Sequence, residues 1–209
     1  MGLRSALVGQ LGHPRGRPAP LVAAFMNRAN AEQNHHAVKA LEVEGHHDVL
    51  DAGFGGGVGL RLLLEHVTAG RVAGVETSDD MLSRAEGRFV DDVEAGRLEL
   101  QAARLEDLPF EDDSFDRILS VNTYYFLEDP DRVFAEMHRV LRPGGRTVHA
   151  VRDAKVLRRI GFDPERQRLD EPERIAARAR SAGFEPVTVG QPENDDRIQL
   201  VIADTQPGG

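Results

Sequence analysis

The chain has 209 residues, 40% of them hydrophobic and 29% charged, with a formal net charge of −9 and a pI of about 5.4. That length and balance fit one globular domain with a sizeable core, and the negative charge argues against a broad phosphate-binding surface, so nucleic acid is not an expected partner. The absence of cysteine excludes disulfides, thiolate metal sites and thiol catalysis. No run of 18 apolar residues offers a membrane span, and residues 1–20 are too broken for a signal peptide, which leaves the cytoplasm as the expected location.

Residues 1–20, rich in Gly, Pro and Arg, read as an irregular arm. From Leu21 to about Glu44 the apolar spacing is helical. The run VLDA ending at Ala52 reads as a buried strand that runs into a glycine loop. A helix over Leu60–Val67, stopped by Gly70, leads to a second strand over Val72–Glu76. Ser78 suits the N-cap of a helix reaching about Val93. Strands are expected over Leu98–Ala102 and Phe115–Val121, then a helix over Asp131–Leu141 stopped by Pro143, Gly144 and Gly145. Arg146–Val151 is a fifth strand, Asp153–Leu169 a basic loop with helical turns, and Glu171–Ala182 a helix ended by Gly183. Phe184–Val189 and Ile198–Ala203 read as a closing antiparallel hairpin. The alternation predicts a Rossmann-like α/β fold: a seven-stranded, mostly parallel sheet with helices on both faces and an antiparallel hairpin at the C-terminus.

The chemistry concentrates at LDAGFGGG, residues 50–57. Asp51 precedes Gly53, Gly55 and Gly57 on a strand-to-helix turn, where glycine permits positive φ and leaves backbone bare for a ligand. A dinucleotide fingerprint needs a glycine at position 58, where Val58 stands, and no Gly-Lys-Ser/Thr follows to make a P-loop. Glu76, at the end of the second strand, is placed to accept from both ribose hydroxyls of a nucleoside.

VLDAGFGGG, GVETSDDML, EDLPFEDDSFDRIL and RVLRPGGRTVHA, in that order over about residues 45–152, resemble the class I S-adenosylmethionine-dependent methyltransferases, most of all the small-molecule branch that includes the ubiquinone and menaquinone C-methyltransferases. The resemblance implies S-adenosyl-L-methionine as cofactor and a small-molecule substrate. Asp51, Gly53, Gly55 and Gly57 would hold its methionine end and Glu76 its ribose. Thr77 and Met81 would flank the adenine, and Arg104, Leu105 and Glu106 would cover its other face and edge. The family commonly carries an Asp where Arg104 stands; a guanidinium cannot accept the adenine amino group's hydrogen bond, so either Glu106 or the Leu105 backbone would take that contact. The resemblance also divides the chain into an arm and lid helix over residues 1–44 and a cofactor-binding domain over 45–209.

At the expected mouth of the crevice stand Asn122, as a cofactor or substrate contact, and Tyr124 and Tyr125, as pocket lining or sulfonium contacts. His149 is a candidate general base if the acceptor is a hydroxyl or amine, with a buried histidine as the alternative. Asn27, Asn30 and Asn34 share one face of the first helix, facing either the site or solvent. Lys155, Arg158, Arg159 and Arg166 offer a basic cap that would favour an acidic substrate or be a solvated face. The histidine pairs lack acidic partners at metal-binding spacing, so no metal is expected. Methyl transfer from a sulfonium rests mainly on proximity and orientation. Two rivals stay open here: an NAD-dependent oxidoreductase, and a non-catalytic S-adenosylmethionine-binding protein. Sequence gives no oligomeric state.

Overall fold

A computed structural model of the protein describes residues 31–208 apart from 161, 164 and 166. The segments expected as an arm and as the first part of a helix, with Asn27 and Asn30, and Arg166 lie outside the described residues. Helical residues 31–41 (α1) lead to β1 (Val49–Ala52), α2 (Val58–His66), β2 (Val72–Glu76), α3 (Asp79–Arg88), α4 (Val90–Glu94), β3 (Leu98–Ala102) and β4 (Phe115–Val121). After a 3₁₀ turn, Tyr124–Phe126, come α5 (Pro130–Val140), β5 (Leu141–Arg152), α6 (Ala154–Ile160), α7 (Pro172–Ser181), β6 (Val187–Gly190) and β7 (Ile198–Asp204).

The seven strands form one sheet in the order β3-β2-β1-β4-β5-β7-β6. Strands β1 to β5 are parallel neighbours, and β7 runs antiparallel between β5 and β6. The expected Rossmann-like sheet with its C-terminal antiparallel hairpin is what the chain forms. The order reverses between β1 and β4, and there the carboxyl ends of the strands open a crevice.

Both faces of the sheet are covered, so β1 and β2 are buried throughout. Leu50 and Ala52 join Phe115, Ile118, Phe134, Met137, Ile175 and Phe184 under α5 and α7. Val49, one residue out of phase, joins Leu60, Leu63, Leu119 and Val148 on the opposite face under α2. Ala37, Val38 and Leu41 of α1 belong to that second layer. Gln33 and Asn34 lie one turn before them on the same stripe and are buried too.

Three expected boundaries differ. Gly70 does not stop α2; Val67 does so in extended backbone, its N–H bonded to Leu63. A Cβ at Gly70 would sit 2.1 Å from the His47 carbonyl oxygen, so glycine is required there by a backbone crossing. The helix expected from Ser78 to Val93 breaks at Phe89 (φ −109°), whose ring is buried beneath the sheet. Pro143, Gly144 and Gly145 do not terminate α5 either. Leu141 is already extended and pairs with Phe115, and the three residues form an irregularity inside β5. That irregularity lets Arg142 bridge Asp48 at 2.8 Å and Asp116 at 2.7 Å, tying the ends of β1, β4 and β5 away from the crevice.

His149 belongs to the core. It pairs with Ser120 of β4 and Val201 of β7, its ring lies 4.7 Å from that of Phe134, and its Nε2 is 3.3 Å from the Thr147 hydroxyl. Burial lowers its pKa from 6.5 to about 4. Because the folded pKa lies below the unfolded one, this group's contribution is present above pH 6.5 and is lost as pH falls towards about 4.

Replacing His149 with Phe is expected to remove up to about 3 kcal/mol of that acid destabilisation. Urea titrations of both proteins at several pH values would show the wild-type slope shrinking in the variant, and equal slopes would contradict the assignment. Gly70→Ala should lower stability by about 2–4 kcal/mol through the clash with the His47 carbonyl, read as a lower urea midpoint at unchanged m-value.

Candidate cofactor site

The site is built where β1 and β2 end. Asp51 pairs across the sheet with Gly74 of β2 and Leu119 of β4, and it is 3% exposed. Its side chain points to the α2 face, where a Cβ on Gly59 would lie 2.3 Å from Oδ2. The first turn of α2 therefore comes down onto the carboxylate, and the Leu60 N–H supports it. Oδ2 itself is buried without a hydrogen-bond partner among the described residues. Burial first, and then the charge of Glu76, push the Asp51 pKa up to about 8. Among the described residues no cation is paired with this acid.

The glycine loop wraps this acid. Gly53, Gly55 and Gly57 have φ of +80°, +49° and +76°, a region that disfavours side chains. Gly57 is the left-handed N-cap of α2. A Cβ at Gly53 would be 2.6 Å from the Thr123 methyl group, so the loop and the segment after β4 are in direct contact. Three side chains fix the loop. Glu76 accepts from the Gly55 N–H at 3.0 Å, Arg88 of α3 donates to the Gly56 carbonyl at 2.8 Å, and the Thr123 hydroxyl donates to the Ala52 carbonyl at 3.2 Å.

Glu76 is 8% exposed. Its Oε1 accepts from the N–H groups of Thr77 (2.8 Å) and Ser78 (3.0 Å), and its Oε2 from Gly55. A carboxylate has about four acceptor sites, so Oε2 keeps capacity toward a nucleoside. Thr77 is exposed beside it and Met81 buried behind it. Across the groove Leu105 is buried in the core. Arg104 turns outward to Glu128 at 2.8 Å. The Glu106 carboxylate accepts from the N–H groups of Glu128 and Asp129 and so supports the entry to α5. Arg104 and Glu106 are thus both engaged at the entry to α5, while Leu105 between them is buried.

The residues expected at the mouth are tied into a network. Asn122 adopts φ +58° just after β4. Its Oδ1 accepts from Gln33 Nε2 at 3.0 Å and from the Tyr125 hydroxyl at 3.2 Å, and its Nδ2 donates to Gln33 Oε1 at 2.9 Å. The Tyr125 hydroxyl also accepts the Arg152 N–H. Tyr124 donates to Asp170 at 2.7 Å from within the core. Both phenols are held above their ordinary pKa, first by burial. His149 lies beneath α5, away from these groups. Asn34 is buried, and Lys155, Arg158 and Arg159 are exposed along α6.

Three participants were not singled out in the sequence: Gln33, Arg88 and Thr123. The i, i+4, i+8 spacing of Gln33, Ala37 and Leu41 would have placed Gln33 in the buried stripe. Arg88 and Thr123 carry no local signal, since their partners are distant in sequence.

Among the described residues, Glu44, His46 and His47 bring ligand atoms within 4.8 Å of one another. The Glu44 N–H donates to His47 Nδ1 at 3.0 Å, so the neutral ring carries its proton on Nε2 and offers no lone pair there. No described helix is long and apolar enough to cross a membrane.

Comparisons with known proteins agree with this geometry. Residues 50–149, just under half of the chain, match the family described as "Methyltransferase domain". The chain is 34% identical over 129 residues to methyltransferase GfsG of Streptomyces halstedii, covering 62% of this chain and 46% of that protein. It is also 34% identical over 113 residues to the ubiquinone/menaquinone biosynthesis C-methyltransferase UbiE of Geotalea daltonii, covering 54% and 48%. The chain thus spans about half the length of the curated relatives it matches. A solved S-adenosylmethionine-dependent methyltransferase from Aquifex aeolicus shares the fold with TM-score 0.73 at 19% identity, over 91% of this chain and 99% of that one. An orphaned acid behind a positive-φ glycine loop, with a second acid one strand over, fits a cationic amino-acid nucleoside. Residues 50–149 thus resemble the methyltransferase domain family, and the chain shares its fold with a solved S-adenosylmethionine-dependent methyltransferase.

Proposed function

We propose that the protein transfers a methyl group from S-adenosylmethionine to a small-molecule acceptor by in-line displacement. The observation that carries this reading is the buried, partnerless Asp51 Oδ2 behind the glycine loop. Such an atom is costly to leave unmet, and the ammonium of an amino-acid moiety would meet it directly or through water. Asp51, Gly53, Gly55 and Gly57 are assigned to the methionine end. Glu76 is assigned to the ribose, Thr77 and Met81 to the adenine, and the Leu105 backbone to its edge.

The bound cofactor supplies a methyl group already activated on a sulfonium. The chain then has to hold an acceptor in line and exclude water, which proximity and orientation accomplish. The Tyr125 hydroxyl and the Asn122 amide are spent on each other, on Gln33 and on Arg152, so they shape the wall of the crevice. His149, neutral beneath Phe134, is assigned no proton transfer. Relatives named for quinone C-methylation support an acceptor of metabolite size. We read residues 1–44 as an arm and lid helix over this site, residues 45–209 as the catalytic domain, and the cytoplasm as its location.

Calorimetry with S-adenosylhomocysteine tests the reading. The wild-type protein should bind it and not NAD, and Glu76→Ala should weaken binding by about 1–3 kcal/mol, the cost of leaving buried polar groups unpaired. Tight NAD binding, or no effect of Glu76→Ala, would overturn the assignment.

A further inference from the structure

We infer that Gln33 is a positioning residue that couples α1 to the cofactor loop through Asn122. The inference rests on the reading of the glycine loop as the cofactor site. Gln33 is 0% exposed, an uncommon burial for a carboxamide, and it sits one turn before the apolar Ala37 on the buried stripe of α1. Its amide forms a closed ring of two hydrogen bonds with Asn122, at 3.0 and 2.9 Å across 89 residues of sequence. Buried amides keep such partners because leaving one unpaired costs the full desolvation penalty.

Asn122 needs this support. It holds a left-handed φ of +58° without being glycine, a conformation that persists only when its surroundings over-determine it. Its N–H bonds the Ala150 carbonyl of β5, and its Oδ1 takes the Tyr125 hydroxyl, which is bound in turn to the Arg152 N–H. The next residue, Thr123, touches Gly53 and donates to the Ala52 carbonyl. Gln33 is therefore connected, through Asn122 and Thr123, to the Ala52–Gly53 end of the loop, while Glu76 and Arg88 hold Gly55 and Gly56. A second tie runs from the same helix: Glu32 faces Arg197 at 3.6 Å, and Arg197 is held by the buried Asp195. Closing α1 and ordering the loop are thus linked, and linkage is reciprocal: a ligand that favours the ordered loop also holds α1 down.

The test is a double-mutant cycle read by S-adenosylhomocysteine affinity in the full chain. Gln33→Met keeps the side-chain volume and removes both hydrogen bonds. Asn122→Gly removes the amide partner while suiting the positive φ. Gln33→Met alone should weaken S-adenosylhomocysteine about fivefold to tenfold, the loss expected for one or two buried hydrogen bonds. In the Asn122→Gly background the same change should have little further effect. Gln33→Glu, which accepts from Asn122 Nδ2 but cannot donate to Oδ1 when ionised, should fall between wild type and Gln33→Met. Hydrogen exchange of residues 31–41 should slow when the ligand binds wild type, and slow less in Gln33→Met. An equal loss of affinity from Gln33→Met in both backgrounds would make Gln33 a packing residue and overturn the inference, as would unchanged affinity. Wild-type protein that binds no S-adenosylhomocysteine would instead refute the cofactor reading, a separate outcome.

Discussion

One carboxylate sets the terms for the rest of the molecule. Asp51 is buried at the end of β1 with one oxygen unpartnered, close enough to Glu76 for their charges to oppose each other. Placing an acid there without a counter-charge costs stability unless it takes up a proton. The fold tolerates the cost because the site is incomplete by design of the chain: the parallel sheet brings β1, β2 and β4 to one edge, and α2 starts directly over the acid. Gly53, Gly55 and Gly57 serve this closeness by a left-handed backbone, and Gly53 beside Thr123 and Gly59 of α2 beside Asp51 leave space that a Cβ would fill.

Around that acid the architecture separates rigid support from recognition. Glu76, Arg88 and Thr123 hold the loop from three directions, each from a different segment of the chain. Away from the crevice Arg142 ties Asp48 to Asp116. The sheet is thereby fastened at its amino end, and the ligand-facing end is left to loops, where binding residues sit in open α/β sheets. Methyl transfer from a sulfonium suits such a frame, because it asks for alignment more than for proton transfer.

Much of this was legible in the sequence. The continuous apolar runs at VLDA and VAGVE gave buried parallel strands, and the acid-plus-glycine spacing located the loop with its positive φ values. What was not legible depends on partners far apart in the chain. Gln33 looks like any polar helix residue until Asn122 is brought to it. Arg104 and Glu106 carry no local sign of their contacts with Glu128 and the entry to α5. Nothing local marks that the Tyr124 and Tyr125 hydroxyls bond Asp170 and Asn122. The Pro-Gly-Gly turn carries the local signature of a helix stop, and only strand pairing with β4 shows that it bends a strand. Local pattern reports the backbone period and the special φ; it is blind to which buried polar group satisfies which.

The central claim is that Asp51 awaits the cation of the cofactor. With a pKa of about 8 in the free protein, its carboxyl is largely protonated at neutral pH, and a neighbouring ammonium would favour the ionised form. Calorimetric titration of S-adenosylhomocysteine near pH 7, in two buffers of different ionisation enthalpy, measures the protons exchanged on binding. The account predicts release approaching about one proton per molecule bound, abolished in Asp51→Asn. Binding whose heat is independent of the buffer, or proton release that persists in Asp51→Asn, would contradict it.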